Sequence, residues 1–76
     1  MNNILNLMNN TLKLRFIGQD GSRQLDHGKA YDVKLQINRG YIWVIIPHFE
    51  FRHMVFGTWK CPYTSPQTLA ANWERA

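Results

Sequence analysis

The sequence holds a single cysteine, Cys61. No internal disulfide can staple the chain, which excludes the cysteine-dense scaffold of small secreted domains and makes a reducing cytoplasm the simpler expectation. It has no apolar run near the roughly 20 residues of a membrane-spanning helix, and its amino terminus lacks the basic start and long apolar stretch of a signal peptide. A soluble, cytoplasmic protein without membrane contact is expected. Acidic residues are scarce, with five Asp and Glu against nine Lys and Arg, for a formal charge of +4 and a pI near 9.7. This balance favours anionic partners, although it also falls within the range of ordinary solubilising charge.

The catalytic patterns are missing as well. Asp20, Asp26, Asp32, Glu50 and Glu74 sit in turns, on a strand's polar face or near the chain end, and spacing brings no two of them together. Gly18, Gly21 and Gly28 do not follow a strand and open a helix, so they form no phosphate loop and read as turn geometry. His48, His53 and Cys61 carry zinc-type donors, but their spacing fits no compact Cys/His pattern. The plainer reading is preferred: a turn histidine, a strand-face histidine and a cysteine packed as a small hydrophobe. Cys61 as a nucleophile has no orienting group, and Pro62 follows it directly. No metal, cofactor or enzymatic activity is expected.

What the chain does have is β pattern. At 76 residues, with 45% hydrophobic and 13% aromatic content, it makes one small globular domain. Tyr31, Val33, Leu35 and Ile37 alternate with Asp32, Lys34 and Gln36, the period of a half-buried strand. After Asn38-Arg39-Gly40 comes Tyr41 to Ile46, which is β-branched or aromatic throughout and suits a strand covered on both faces. Leu12, Leu14 and Phe16 alternate with Lys13 and Arg15 in a first strand. The connection from Gly18 to Lys29, turn-rich and anchored only by Leu25, is long enough to carry function.

Pro47 is expected to end the second arm of the hairpin, since it cannot donate to a ladder. Phe49, Phe51, His53 and Val55 then alternate as a fourth strand reaching Phe56, and Thr58 to Cys61 forms a short fifth one stopped by Pro62. Ser65-Pro66 opens a helix whose apolar stripe is Leu69, Ala70 and Trp73. The Asn-rich residues 1–10 read as an N-terminal extension to a domain over 11–76. The expected fold is mainly β: a small SH3-like antiparallel barrel of about five strands with a short C-terminal helix.

Several phrases occur together: Leu14-Arg15-Phe16-Ile17-Gly18 with Asp20-Gly21-Ser22, His27-Gly28-Lys29 with Tyr31, Gly40-Tyr41-Ile42-Trp43-Val44, and Cys61-Pro62-Tyr63 with Ser65-Pro66 and Leu69-Ala70-Ala71-Asn72-Trp73. This combination resembles a group of short, mostly uncharacterised proteins encoded by bacteriophages and prophages, chiefly of Gram-positive hosts. The resemblance covers most of Leu12 to Glu74 and departs between Pro47 and Gly57, where this chain carries a longer apolar insert. It implies a non-enzymatic protein that binds and blocks something of the host, with defence the foremost target.

The residues themselves leave two readings open: an anionic, nucleotide-containing ligand, either a nucleotide signal or a nucleic acid, or tryptophans that plug the ends of the barrel while the charges form an ordinary solvated face. Basic side chains (Lys13, Arg15, Lys34, Arg39) interleave with Tyr41, Trp43, Trp59 and Tyr63. A base stacked on an exposed aromatic gains about 1–3 kcal/mol, and arginine pairs phosphate bidentately. The candidate ligand residues are Arg15, Arg39, Trp43, Arg52, Trp59 and Lys60. The insert supplies a second candidate surface: Phe49, Phe51, Met54 and Phe56 exceed what one small barrel buries, and surplus apolar strands mark self-association or a host-protein partner. A homo-oligomer formed there would create a composite cleft lined by Arg52 and Trp59. The alternative function is accordingly a protein–protein inhibitor that docks Phe49–Phe56 on a host enzyme.

Overall fold

A computed structural model describes residues 11–76, apart from the side chain of His53; the extension expected over residues 1–10 lies outside the described residues. In chain order the strands are β1 (Leu12–Phe16), β2 (Ala30–Asn38), β3 (Tyr41–Phe51), β4 (Val55–Tyr63) and β5 (Trp73–Arg75), with one short helix, α1 (Pro66–Ala70), before the last. All pair antiparallel in one sheet of order β4-β3-β2-β1-β5. The mainly β, five-stranded reading is therefore what the structure shows, but two of the strands are not the ones expected.

The β2–β3 hairpin turns on Arg39 and Gly40, both at positive φ (53° and 81°). Two such residues make the primed turn whose twist matches that of the flanking strands, and Gly40 takes its position without a side-chain penalty. The register that follows sets Leu35 opposite Val44 and Ile37 opposite Ile42, so the alternation of β2 fixes which side of β3 faces inward.

Pro47 does not end β3. The ladder shifts between Ile46, opposite Trp59, and Phe49, opposite Gly57, leaving Pro47 and His48 in a bulge. A residue without an N–H costs no ladder bond at a bulge. The extra residue re-phases the strand, so that Ile46 and Phe49, three apart, are both buried. What read as a separate strand from Phe49 to Phe56 is instead the tip of a β3–β4 hairpin, turning through a 3-10 segment at Arg52–Met54. Thr58 to Cys61 belongs to the same β4. Pro62 does not stop that strand either; it pairs with Trp43 on the sheet's edge, where a missing donor faces no neighbour.

The helix starts as expected. Thr68 N–H donates to Ser65 Oγ at 3.2 Å and Ser65 N–H donates to Thr68 Oγ1 at 3.1 Å, a reciprocal cap with Pro66 just inside it. It ends at Ala70, however, and Trp73 is not on its stripe. Trp73 begins β5 and pairs with Phe16.

The sheet curls around Leu14, Phe16, Tyr31, Val33, Val44, Ile46 and Trp59, with Leu25 from the long loop and Leu69 from α1 packed against them. It is not closed. No ladder joins the two edges, β4 and β5. Side chains bridge the seam: Trp59 and Trp73 rings lie 6.2 Å apart, and Trp73 Nε1–H donates to Tyr63 Oη at 2.9 Å.

Burial pushes the Tyr63 hydroxyl up from 10.0 to about 12; the nearby Cys61 adds to the shift, while the Trp73 N–H works against it. The folded pKa lies above the unfolded one, so the neutral phenol is the form the fold favours. Below pH 10.0 this costs nothing, and stability falls as pH climbs from there towards about 12. Urea titrations across that window should show a smaller alkaline loss in Tyr63→Phe than in the natural protein. Equal losses would place the titrating group elsewhere.

Candidate nucleic-acid interface

The continuous run Tyr41–Ile46 predicts cover on both faces, yet the structure covers only one. Val44 and Ile46 are buried, whereas Tyr41 is 43% exposed and Trp43 and Ile45 are half-buried on the other side. The reason is material: Leu25 and Leu69, the core contributions from outside the sheet, both pack on the inner side. Trp73 is also used inside.

Register builds the outer face row by row. Lys34, Ile45 and Lys60 lie side by side across β2, β3 and β4; the next row is Gln36, Trp43 and Pro62; the last is Asn38 and Tyr41, beside the Arg39 turn. Gln36, Asn38, Trp43, Ile45 and Lys60 line a depression of about 100 Å³. The Tyr41 and Trp43 rings are neighbours, with centroids 6.4 Å apart and planes at 66°.

Charge on this side is asymmetric. Asp32 is held by Lys13 at 3.0 Å and Glu74 by Arg15 at 3.2 Å, both pairs on the outer side of β1. These acids are spent locally. Among the described residues Lys34, Arg39 and Lys60 form no ion pair, so their charge remains for a ligand.

Of the six candidate ligand residues, the fold brings Trp43 and Lys60 together on this face, with Arg39 in the turn at its end. Arg15 lies on β1 with its guanidinium engaged by Glu74. Arg52 stands in the turn at the far end of β3. Trp59 is 5% exposed, and its indole N–H donates to Arg23 O at 3.0 Å, holding the long loop against β4; buried in this way, it offers no open ring face for a base to stack on, although it edges a depression with Arg23 and Lys60. Lys34 and Tyr41 were visible in the pattern as basic and aromatic groups, but only the register shows that they share a face with Trp43. The candidate partner residues divide too. Phe49 is core and Phe51 packs against it, while Met54 and Phe56 are exposed at the hairpin tip.

A larger cleft of about 510 Å³ lies between the long loop and β3, but it is lined by Asp26, Asp32 and Glu50, with Lys29 the one Lys or Arg there. The Lys29 ammonium sits over the Tyr31 ring at 5.2 Å. Asp32 is paired with Lys13, but Asp26 and Glu50 remain to repel phosphate, which makes this cleft a poor site for an anion. Among the described residues no group of three or more His, Cys, Asp or Glu is placed to hold a metal ion, and no helix is long and apolar enough to cross a membrane. Cys61 is buried. Comparison with protein-family models, curated proteins and solved structures finds no match to this chain.

Proposed function

We propose that the protein binds an anionic, nucleotide-containing ligand on the outer face of β2, β3 and β4. One observation carries this reading: Tyr41, exposed, and Trp43, half-buried, share a face with Lys34 and Lys60, Arg39 stands in the turn at its end, and all three cations are unpaired among the described residues, while the neighbouring acids are paired with Lys13 and Arg15. Aromatic rings supply a stacking surface for bases and the cations neutralise phosphate, which is how a sheet face binds nucleic acid. The resemblance to phage-encoded proteins gives the biological setting. The protein acts by binding, not by turnover, and interferes with a host process, defence foremost.

The three tryptophans make the test direct, because Trp59 and Trp73 are buried and Trp43 alone is half-open. A stacking ligand should quench tryptophan emission in the natural protein, and Trp43→Phe should remove the quenching. Trp43→Ala should weaken binding by about 1–3 kcal/mol, roughly 5- to 150-fold, with the melting curve preserved. Unchanged affinity in Trp43→Ala would remove the outer face from consideration.

A second reading has its own observation. Met54, Val55 and Phe56 are 75%, 58% and 63% exposed at the β3–β4 tip, at the opposite end of β3 from Arg39. Apolar residues clustered on an edge strand suit docking on a host protein or a second copy. The two surfaces do not overlap, so substitutions at the tip should leave nucleotide binding unchanged.

A further inference from the structure

Resting on that reading, we infer that the ligand is a single strand of nucleic acid engaged through at least two successive bases, rather than a mononucleotide or a duplex. Ring geometry is the first reason. With the Tyr41 and Trp43 planes at 66°, one flat base cannot lie against both rings. Using both therefore takes two bases, splayed from one another, with centroids 6.4 Å apart at the rings that receive them. A mononucleotide leaves one ring empty.

Shape is the second. The depression beside Trp43 holds about 100 Å³, well below the roughly 300–1,000 Å³ of pockets that engulf a small ligand. A free nucleotide would be gripped on one side only. A strand laid across the face gains instead from several shallow contacts in series.

The cations are spread accordingly. Lys34 and Lys60 flank Ile45, while Arg39 lies past Tyr41 at the other end of the aromatic row. Ile45 lies four positions along β3 from Tyr41, about 14 Å at the rise of an antiparallel strand. Phosphates spaced along one strand can meet the cations at both ends of this row at once. Between them, Gln36 and Asn38 stand opposite Trp43 and Tyr41, and their amides both donate and accept, as the edges of unpaired bases require. In a duplex those edges and the base faces are already used.

The experiment uses the full chain at low salt with thymidine monophosphate, oligothymidylates of two, four and eight nucleotides, the matching uridine series, and a blunt duplex of eight pairs, read by tryptophan quenching and calorimetry. Affinity should rise at least tenfold from the mononucleotide to the tetranucleotide, and the duplex should bind at least tenfold more weakly than the single strand of equal length. The logarithm of the affinity should fall against log salt with a slope of about −2, from three cations at roughly −0.7 each for single strands. Tyr41→Ala should weaken the tetranucleotide 5-fold or more and leave the mononucleotide unchanged. Preference for either sugar supports the inference and names the strand. A mononucleotide as tight as the tetranucleotide, or a duplex as tight as the strand, overturns the inference while leaving the anionic-ligand reading intact. Absence of binding to every probe overturns both.

Discussion

Trp73→Ala should cost about 3–5 kcal/mol of stability, a large part of what this small fold has and the largest loss expected of the substitutions considered. Trp73 is 4% exposed and its ring meets Phe16 at 5.2 Å, Tyr31 at 6.0 Å and Trp59 at 6.2 Å, so it joins the inner layers of β1, β2 and β4. Removing a buried tryptophan costs about 3–5 kcal/mol through lost transfer energy and the remaining cavity. At 0.05–0.15 kcal/mol per residue, a chain of 76 residues has only about 4–11 kcal/mol to lose. The seam makes the case sharper: with no ladder between β4 and β5, the ring and its N–H bond to Tyr63 are what hold the edges together. Trp73→Phe keeps most of the apolar contact and loses that bond, so it should cost about 1 kcal/mol plus a smaller packing term. Urea denaturation followed by circular dichroism separates the two variants. A loss below about 1 kcal/mol in Trp73→Ala would mean that the seam is held by something else.

The second large effect concerns binding and should leave the fold untouched. Lys34→Glu with Lys60→Glu reverses both cations flanking Ile45, and the oligonucleotide affinity should fall by at least a hundredfold at low salt. In the proposed binding mode each lysine would neutralise a phosphate that each glutamate would repel. Both positions are exposed, so the melting temperature should move by no more than a few degrees. The control carries the same change in formal charge elsewhere: Arg52→Glu in the hairpin turn with Arg75→Glu on β5, both exposed. It should retain most of the affinity. Equal losses in the two double variants would show that net charge, and not the outer face, attracts the ligand.

The acidic cleft and the basic face illustrate why concavity is a poor guide here. The 510 Å³ cleft gathers Asp26 from the loop, Asp32 from β2 and Glu50 from β3. The aromatic face holds only the depression of about 100 Å³ beside Trp43, and its residues come from three adjacent strands in register. A flat surface suits a polymer that contributes many small contacts, whereas a compact ligand needs enclosure to repay its lost freedom.

The β2–β3 hairpin and the helix start were legible because their causes are local. Strict alternation from Tyr31 to Ile37 and the reciprocal cap of Ser65 and Thr68 need no distant partner. Lys34, Arg39, Tyr41 and Trp43 could likewise be picked out as basic and aromatic groups from composition and spacing alone. The errors share another origin. Pro47 reads as a terminator only if the ladder is regular, and the bulge that accommodates it exists because Gly57 and Trp59 of another strand pair across it. The three residues of β5 have no pattern of their own; the free edge of β1 makes them a strand. Trp59 alternates with Thr58 and Lys60 whichever face is inward, and pairing with Ile46 sends the indole to the core.

Tyr41 to Ile46 shows the division most plainly. By itself the sequence determined that this stretch is a strand, since β-branched and aromatic side chains without turn formers suit little else, and the short Asn38-Arg39-Gly40 turn between it and the alternating arm made the pair antiparallel. It could not say which half of the run would remain in water, because a run that does not alternate carries no phase. Register with β2 supplied that phase, setting Trp43 beside Gln36 and Ile45 beside Lys34. The single short helix and the long loop were then spent on the inner side, and the outer one was left open.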